Sequence, residues 1–245
     1  MKKLHILLTG CLIIFLTQAS FAQNKWTFGI KGGVNLGTPI GKAEEGATGS
    51  LGFGPRGGFF LRYNVNSKVS LQPELTYSFK GASFLTPISG DTTIAQEILG
   101  QIYYLPTFYE GWVDGEFANH YIDIPILGMY YIGDKMSLLL GPYVAYLIKG
   151  KNAGLADLEI GDNYTTVEDE IFDISNQLSQ LDYGLVVGAN YETFAGLNLG
   201  LRLTSGLKSI YKKTYGEVDG VVRNLYLQAS VGYRFFKKPI LEEAL

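Results

Sequence analysis

Val69-Ser-Leu-Gln-Pro-Glu-Leu-Thr-Tyr-Ser-Phe-Lys80 is the stretch on which the fold turns. Val69, Leu71, Leu75, Tyr77 and Phe79 alternate with Ser70, Gln72, Glu74, Thr76, Ser78 and Lys80. Period two is the signature of a β-strand with one apolar and one polar face. Only Asn66-Ser67-Lys68 separates it from a similar strand, Gly57–Val65, in which Phe59, Leu61, Tyr63 and Val65 oppose Arg62 and Asn64. The spacing predicts a hairpin.

Working outward, the alternation recurs along the whole chain. Trp26–Leu36 sets Trp26, Phe28, Ile30, Val34 and Leu36 against Thr27, Gly29, Lys31, Gly33 and Asn35. Tyr121–Tyr131 offers Ile122, Ile124, Ile126 and Tyr130, and Met136–Ile148 offers Met136, Leu138, Leu140, Val144, Tyr146 and Ile148, with Gly133-Asp134-Lys135 between them. Leu181–Glu192 and Leu197–Gly206 form another pair, and Asn224–Phe236 is the last strand. Eight strands result. Short connections follow Val65, Tyr131 and Tyr191, whereas long ones span 37–52, 81–119, 149–180 and 208–223. Alternating short turns and long loops characterise bacterial outer-membrane barrels, and both chain ends then fall on the periplasmic side.

Two alternatives stand against this reading. A soluble lipocalin-like barrel would bury the apolar face, but its bulky residues exceed about threefold the roughly twelve side chains that fill an eight-stranded interior. The polar face carries Gly29, Gly33, Gly58, Gly141, Gly184, Gly188, Gly200 and Gly232, which suits a crowded lumen and would only weaken a water-facing sheet. The second concerns 81–119, which either extends the strands above the membrane, forms an extra hairpin that brings the count to ten strands, or offers a contact surface. That segment is rich in Ile98, Leu99, Ile102, Tyr103, Tyr104, Leu105, Phe108, Tyr109 and Trp112.

Composition agrees with a β-rich envelope protein. The 245 residues are 47% hydrophobic and 18% charged, with 31 Gly, 17 Tyr and 14 Phe. Disorder needs the opposite balance. A net charge of −3 leaves no basic footprint for nucleic acid. Lys2 and Lys3 precede an apolar run, Leu4–Leu16, ending in Ser20-Phe21-Ala22, which reads as a signal peptide over 1–22 cleaved after Ala22. Leu8-Thr9-Gly10-Cys11 imitates a lipoprotein box, but most of the apolar run follows Cys11 instead of preceding it. Cleavage removes Cys11 and leaves no thiol chemistry. No later apolar run is long enough for a spanning helix.

Gly29–Asn35 "GIKGGVN", Tyr121–Leu127 "YIDIPIL", Leu181–Glu192 "LDYGLVVGANYE" and Gly232–Phe236 "GYRFF" resemble, in order and spacing, the outer membrane β-barrel domain family of porin-family proteins. The resemblance extends over 23–236. It implies an all-β, eight-stranded, antiparallel, up-and-down transmembrane barrel of the OmpX or OmpA kind in a Gram-negative envelope, set among outer-membrane lipid and lipopolysaccharide and delivered by the barrel-insertion machinery. It implies no substrate. Residues 237–245 run past the final aromatic, where such barrels usually stop, and read either as a short periplasmic tail or as a sign that the insertion signal is recognised internally.

Depth along each strand sorts the inward charges into layers. Arg56, Lys80, Asp123 and Asp182 lie near the outside, Lys31, Glu74 and Arg202 at mid-depth, and Arg62, Glu192 and Arg234 near the periplasm. Each layer mixes signs, so a cross-lumen ion-pair network is the structural reading and a selectivity ring the sharper one. Trp26, Phe28, Tyr63, Tyr130, Tyr191, Tyr233 and Phe235 fit a periplasmic aromatic girdle, with Tyr77, Phe79, Tyr146 and Tyr183 on the outer side.

Chemistry is scarce. After cleavage His120 is the one histidine, near Asp114, Glu116 and Asp123, with no serine within two positions. Asp157, Glu159, Asp162, Glu168, Asp169, Glu170 and Asp173 could offer oxygen ligands to calcium, but in no EF-hand spacing. No cofactor or metal is expected. The expected protein is a monomeric, non-catalytic barrel whose loops meet an extracellular ligand. A narrow solute channel, and then a lipid-modifying enzyme using His120, are the alternatives.

Overall fold

The computed structural model describes residues 25–41, 45–98, 101–161, 165–193, 195–212 and 221–235. The signal peptide expected over 1–22 and the tail expected over 237–245 lie outside them. Nine strands follow in order: β1 (Trp26–Ile40), β2 (Thr48–Asn64), β3 (Val69–Ile98), β4 (Gln101–Ile132), β5 (Met136–Ile160), β6 (Thr165–Asp173), β7 (Leu181–Glu192), β8 (Leu197–Gly206) and β9 (Arg223–Arg234). One 3-10 turn, Ser175–Gln177, precedes β7.

Every pairing is antiparallel, in the order β4-β3-β2-β1-β9-β8-β7-β5, and β4 pairs with β5 to complete the circle. Eight strands therefore form a closed ring. Closure matters because an unpaired strand edge cannot be satisfied in hydrocarbon. Strand β6 stays outside the ring. It takes the edge of β5 at Ala153–Ile160, past the point where β7 holds that same edge at Met136–Tyr146.

Period two governs which side chains face inward. Along β8, Asn198, Arg202 and Thr204 are buried while Leu199, Leu201 and Leu203 are exposed, and β3 buries Ser70, Gln72, Glu74, Thr76, Ser78 and Lys80. The largest fully buried side chains include Arg62, Lys80, Gln72 and Asn119, whereas Leu140 is 62% and Leu201 55% exposed. A water-soluble barrel requires the reverse. This polarity excludes the lipocalin alternative.

One open alternative is decided and one expectation needs correction. Of the readings open for 81–119, the structure has the extension of the strands: the segment continues β3 and β4, paired residue by residue from Lys80↔Asn119 to Ile98↔Gln101. At about 3.3 Å per residue, this hairpin runs on the order of 60 Å along the chain. The ring accordingly has eight strands rather than ten. Segment 149–180 is likewise largely strand, supplying the end of β5 and all of β6. The lumen also holds apolar side chains. Tyr121, Leu127, Tyr143, Ala145 and Val186 form one buried apolar cluster and Met129, Tyr131 and Leu139 another.

The tight turns gather at one end. Asn66 Oδ1 accepts hydrogen bonds from the backbone N–H groups of Lys68 and Val69, at 2.9 and 2.8 Å, closing β2–β3. Gly133 (φ 65°) and Gly196 (φ 87°) supply the left-handed backbone for the other two.

Candidate functional site: the filled lumen and the cup above it

Inside the ring the charged side chains meet across the lumen at three depths. Nearest the tight turns, Glu192 of β7 takes Arg62 of β2 on Oε2 and Arg234 of β9 on Oε1, each at 2.8 Å. Arg62 also donates to Gln72 Oε1 at 2.7 Å and to the Tyr131 hydroxyl at 3.2 Å. At mid-depth Glu74 of β3 pairs with Lys31 of β1, and Arg202 Nη1 of β8 reaches both its oxygens, at 3.0 and 2.9 Å. Gln72 Nε2 donates to Glu74 Oε1 at 2.6 Å, tying the two layers together.

Toward the other end Lys80 lies 3.6 Å from Asp123 and 3.5 Å from Asp182. Asp182 Oδ2 also accepts from Tyr143 and Asn224, at 2.9 and 2.8 Å. The Lys80 ammonium sits 4.5 Å from the Tyr121 ring centroid and 5.2 Å from that of Tyr143, a cation–π arrangement inside the apolar cluster. Arg56 stands apart. It is 5% exposed, its Nε and Nη1 have no hydrogen-bond partner, and no carboxylate among the described residues lies within 4.0 Å of it. The structure thus brings together nine of the ten inward charges named from sequence and leaves Arg56 out of the pairs.

At the tight-turn end the outward aromatics touch one another. Trp26 and Tyr63 are 4.7 Å apart, Phe28 stacks on Phe235 at 5.6 Å, and Tyr233 meets Phe235 edge-on at 5.6 Å. Tyr130 and Tyr191 are exposed on the same outer face. Toward the long-hairpin end, His120 faces outward from β4. Its Nδ1 is 2.7 Å from the Tyr77 hydroxyl, and its ring is 4.9 Å from that of Phe79. Glu116 pairs instead with Lys151 at 2.8 Å, Asp123 faces the lumen, and Asp114 is roughly 20 Å up the strand at 3.3 Å per residue.

Beyond the barrel, β1–β6 enclose a cup of about 1300 Å³. Phe117, Ile174, Tyr211 and Val222 floor it, packed on Leu178 and Ile210. The floor is a cross-linked cap. The segments after β6 and after β8 join through the Leu178↔Tyr211 bridge, a Ser179 N–H to Ile210 carbonyl bond of 2.7 Å and a Lys212 N–H to Gln177 carbonyl bond of 2.8 Å. Sequence reasoning missed both cup and cap, because long-range pairing between two loops leaves no local pattern. Asp157, Glu159, Glu168, Asp169, Glu170 and Asp173 decorate the β5–β6 hairpin, and Asp162 lies outside the described residues. Among the described residues no three His, Cys, Asp or Glu side chains converge as metal ligands.

A closed antiparallel ring with lipid-compatible leucines outside and paired charges inside defines a transmembrane β-barrel. The model of the outer membrane protein beta-barrel domain matches residues 21–212, and the chain belongs to that family. The match stops short of β9, whose place in the ring rests on its pairing with β1 and β8. Among solved structures, Neisserial surface protein A is similar at 10% identity and a TM-score of 0.40, covering 85% of this chain and 97% of its own. The attachment invasion locus protein Ail of Yersinia pestis follows at 14% and 0.38, covering 87% and 99%. OprG of Pseudomonas aeruginosa stands at 15% and 0.35, covering 88% and 99%. These remote likenesses say nothing about role. No curated protein matches the chain.

Proposed function

We propose that this protein is a monomeric, non-catalytic and non-conducting outer-membrane barrel that displays the β3–β4 and β4–β5–β6 projections outside the cell, where it does its binding. In this reading the tight turns and both chain ends face the periplasm, and the two aromatic groups sit at the two membrane interfaces. His120 belongs to the outer of these, held by Tyr77 and Phe79.

The observation that carries the reading is the filled lumen. Three charge layers and the Tyr121–Leu127–Tyr143–Val186 cluster occupy the section a solute would cross. Interiors of eight-stranded barrels are normally just wide enough for such filling.

Planar-bilayer recording tests it. The wild-type protein should give no resolved conductance steps, while a Tyr121→Ala/Leu127→Ala/Tyr143→Ala variant should open a measurable path. Stable, ion-selective steps from the wild type would favour a narrow channel instead. Loss or transfer of an acyl chain from lipopolysaccharide, seen by mass spectrometry and abolished in His120→Ala, would favour the enzyme.

A further inference from the structure

The projecting walls have an extreme charge. Among the described residues of 81–118 and 150–173 there are eleven Asp and Glu and a single basic residue, Lys151, which is already paired with Glu116. The cup inside these walls follows suit. Glu45, Glu110, Asp157 and Glu159 are among its lining residues, and among the described residues no Lys or Arg lines it. Its surface is also unusually aromatic, with Phe84, Tyr109, Trp112, Phe117, Phe172 and Tyr211 contributing.

Carboxylates around an aromatic-lined cavity select a particular chemistry. Aromatic faces attract cations and take up apolar groups, while unpaired carboxylates raise the local concentration of positive charge and repel anions. A volume of about 1300 Å³ exceeds the roughly 300 to 1000 Å³ of ordinary small-molecule pockets. Size and chemistry together fit several side chains of a peptide better than one compact metabolite. The capped floor makes the cup a dead end, which suits capture rather than passage.

We propose that the cup binds basic amphipathic peptides, with lysine or arginine side chains at the carboxylates and apolar side chains against Trp112, Phe172 and the floor. The proposal rests on the reading that the projections are the binding part of the molecule, and it names the partner class.

The test uses the full-length mature protein in zwitterionic nanodiscs and a fluorescent 14-residue peptide of alternating Lys and Leu blocks, with a Glu/Leu analogue and oligolysine as comparators. Anisotropy should show the Lys/Leu peptide binding at least tenfold more tightly than oligolysine, and the Glu/Leu peptide not at all. Affinity should fall steeply as salt rises. Glu110→Gln/Asp157→Asn/Glu159→Gln and, separately, Trp112→Ala/Phe172→Ala should each weaken binding by tenfold or more, with both variants shown to be folded by gel mobility. Equal affinity for oligolysine, unchanged affinity in either variant, or no binding above protein-free nanodiscs would overturn the proposal. Binding of oligolysine or of the Glu/Leu peptide as tight as that of the Lys/Leu peptide would overturn the partner class alone, whereas no binding of any of the three would also count against the projections as the binding part.

Discussion

Glu74→Ala probes the mid-depth layer directly. In the wild type Glu74 is fully enclosed and serves two cations, with Lys31 and Arg202 side chains only 5% and 2% exposed. Truncation leaves both without a counter-charge, and breaking a buried pair this way costs about 3 to 5 kcal/mol. Gln72 Nε2 also loses its acceptor at Glu74 Oε1, a further penalty of about 1 to 3 kcal/mol for a buried unsatisfied donor. The expected loss is therefore at least about 3 kcal/mol. With a urea slope of about 1 to 3 kcal/mol per molar, the unfolding midpoint in lipid vesicles, followed by tryptophan fluorescence and gel mobility, should fall by about 1 M or more. Adding Lys31→Met to Glu74→Ala should recover part of the loss, because neighbours sharing one network couple by about 0.5 to 3 kcal/mol. An unchanged midpoint for Glu74→Ala would refute the argument, since it would mean that Lys31 and Arg202 are solvated without it.

Adjacent glycines on β1 should respond oppositely to one methyl group. A Cβ on Gly33 would stand 2.1 Å from the Ala229 carbonyl oxygen, whereas one on Gly32 meets nothing within 4 Å; Gly33→Ala should cost about 1 to 3 kcal/mol by overpacking, and Gly32→Ala should leave the urea midpoint in place. Spin labels at Leu199→Cys, Leu201→Cys and Leu203→Cys in vesicles should collide readily with oxygen and poorly with a polar paramagnet, while labels at Asn198→Cys and Thr204→Cys stay shielded; the reverse pattern would turn the barrel inside out. The closed ring should also survive unheated detergent gels, so boiled and unboiled samples should migrate differently, and identical migration would argue for an open sheet.

Where one strand face meets hydrocarbon and the other a packed lumen, the chain must alternate, and β1, β8, β9 and residues 69–80 of β3 could be read residue by residue. Depth was legible for the same reason: tight turns fix one end of each strand, so counting inward places Lys31, Glu74 and Arg202 together. Beyond the membrane that constraint lapses. Most side chains of 81–98 and 101–118 are exposed or half-buried, and Asp91, Glu110 and Asp114 interrupt any apolar stripe, so the segment resembles a loop. Runs such as Tyr121–Tyr131 and Met136–Tyr146 hid a second fact. Leu127, Met129, Leu139 and Tyr143 point inward, but between outward Ile126, Tyr130 and Leu140 they add no contrast to the pattern. Arg56 fell in the expected depth range, and depth alone could not say that Lys80 would hold both aspartates.

The pairing of β1 with β9 has a consequence in time. Gly29 and Arg234 stand side by side in the finished ring, yet the ribosome makes one about 200 residues before the other. The seam therefore cannot be sewn until β9 is made, and until its twelve residues arrive β1 and β8 remain open edges. Bringing ends roughly 200 residues apart together costs on the order of 5 kcal/mol in chain entropy unless intervening hairpins have already shortened the gap. The local turns at Asn66, Gly133 and Gly196 shorten it, and a chain truncated before Arg223 would keep those hairpins while presenting β1 and β8 as open edges primed for aggregation.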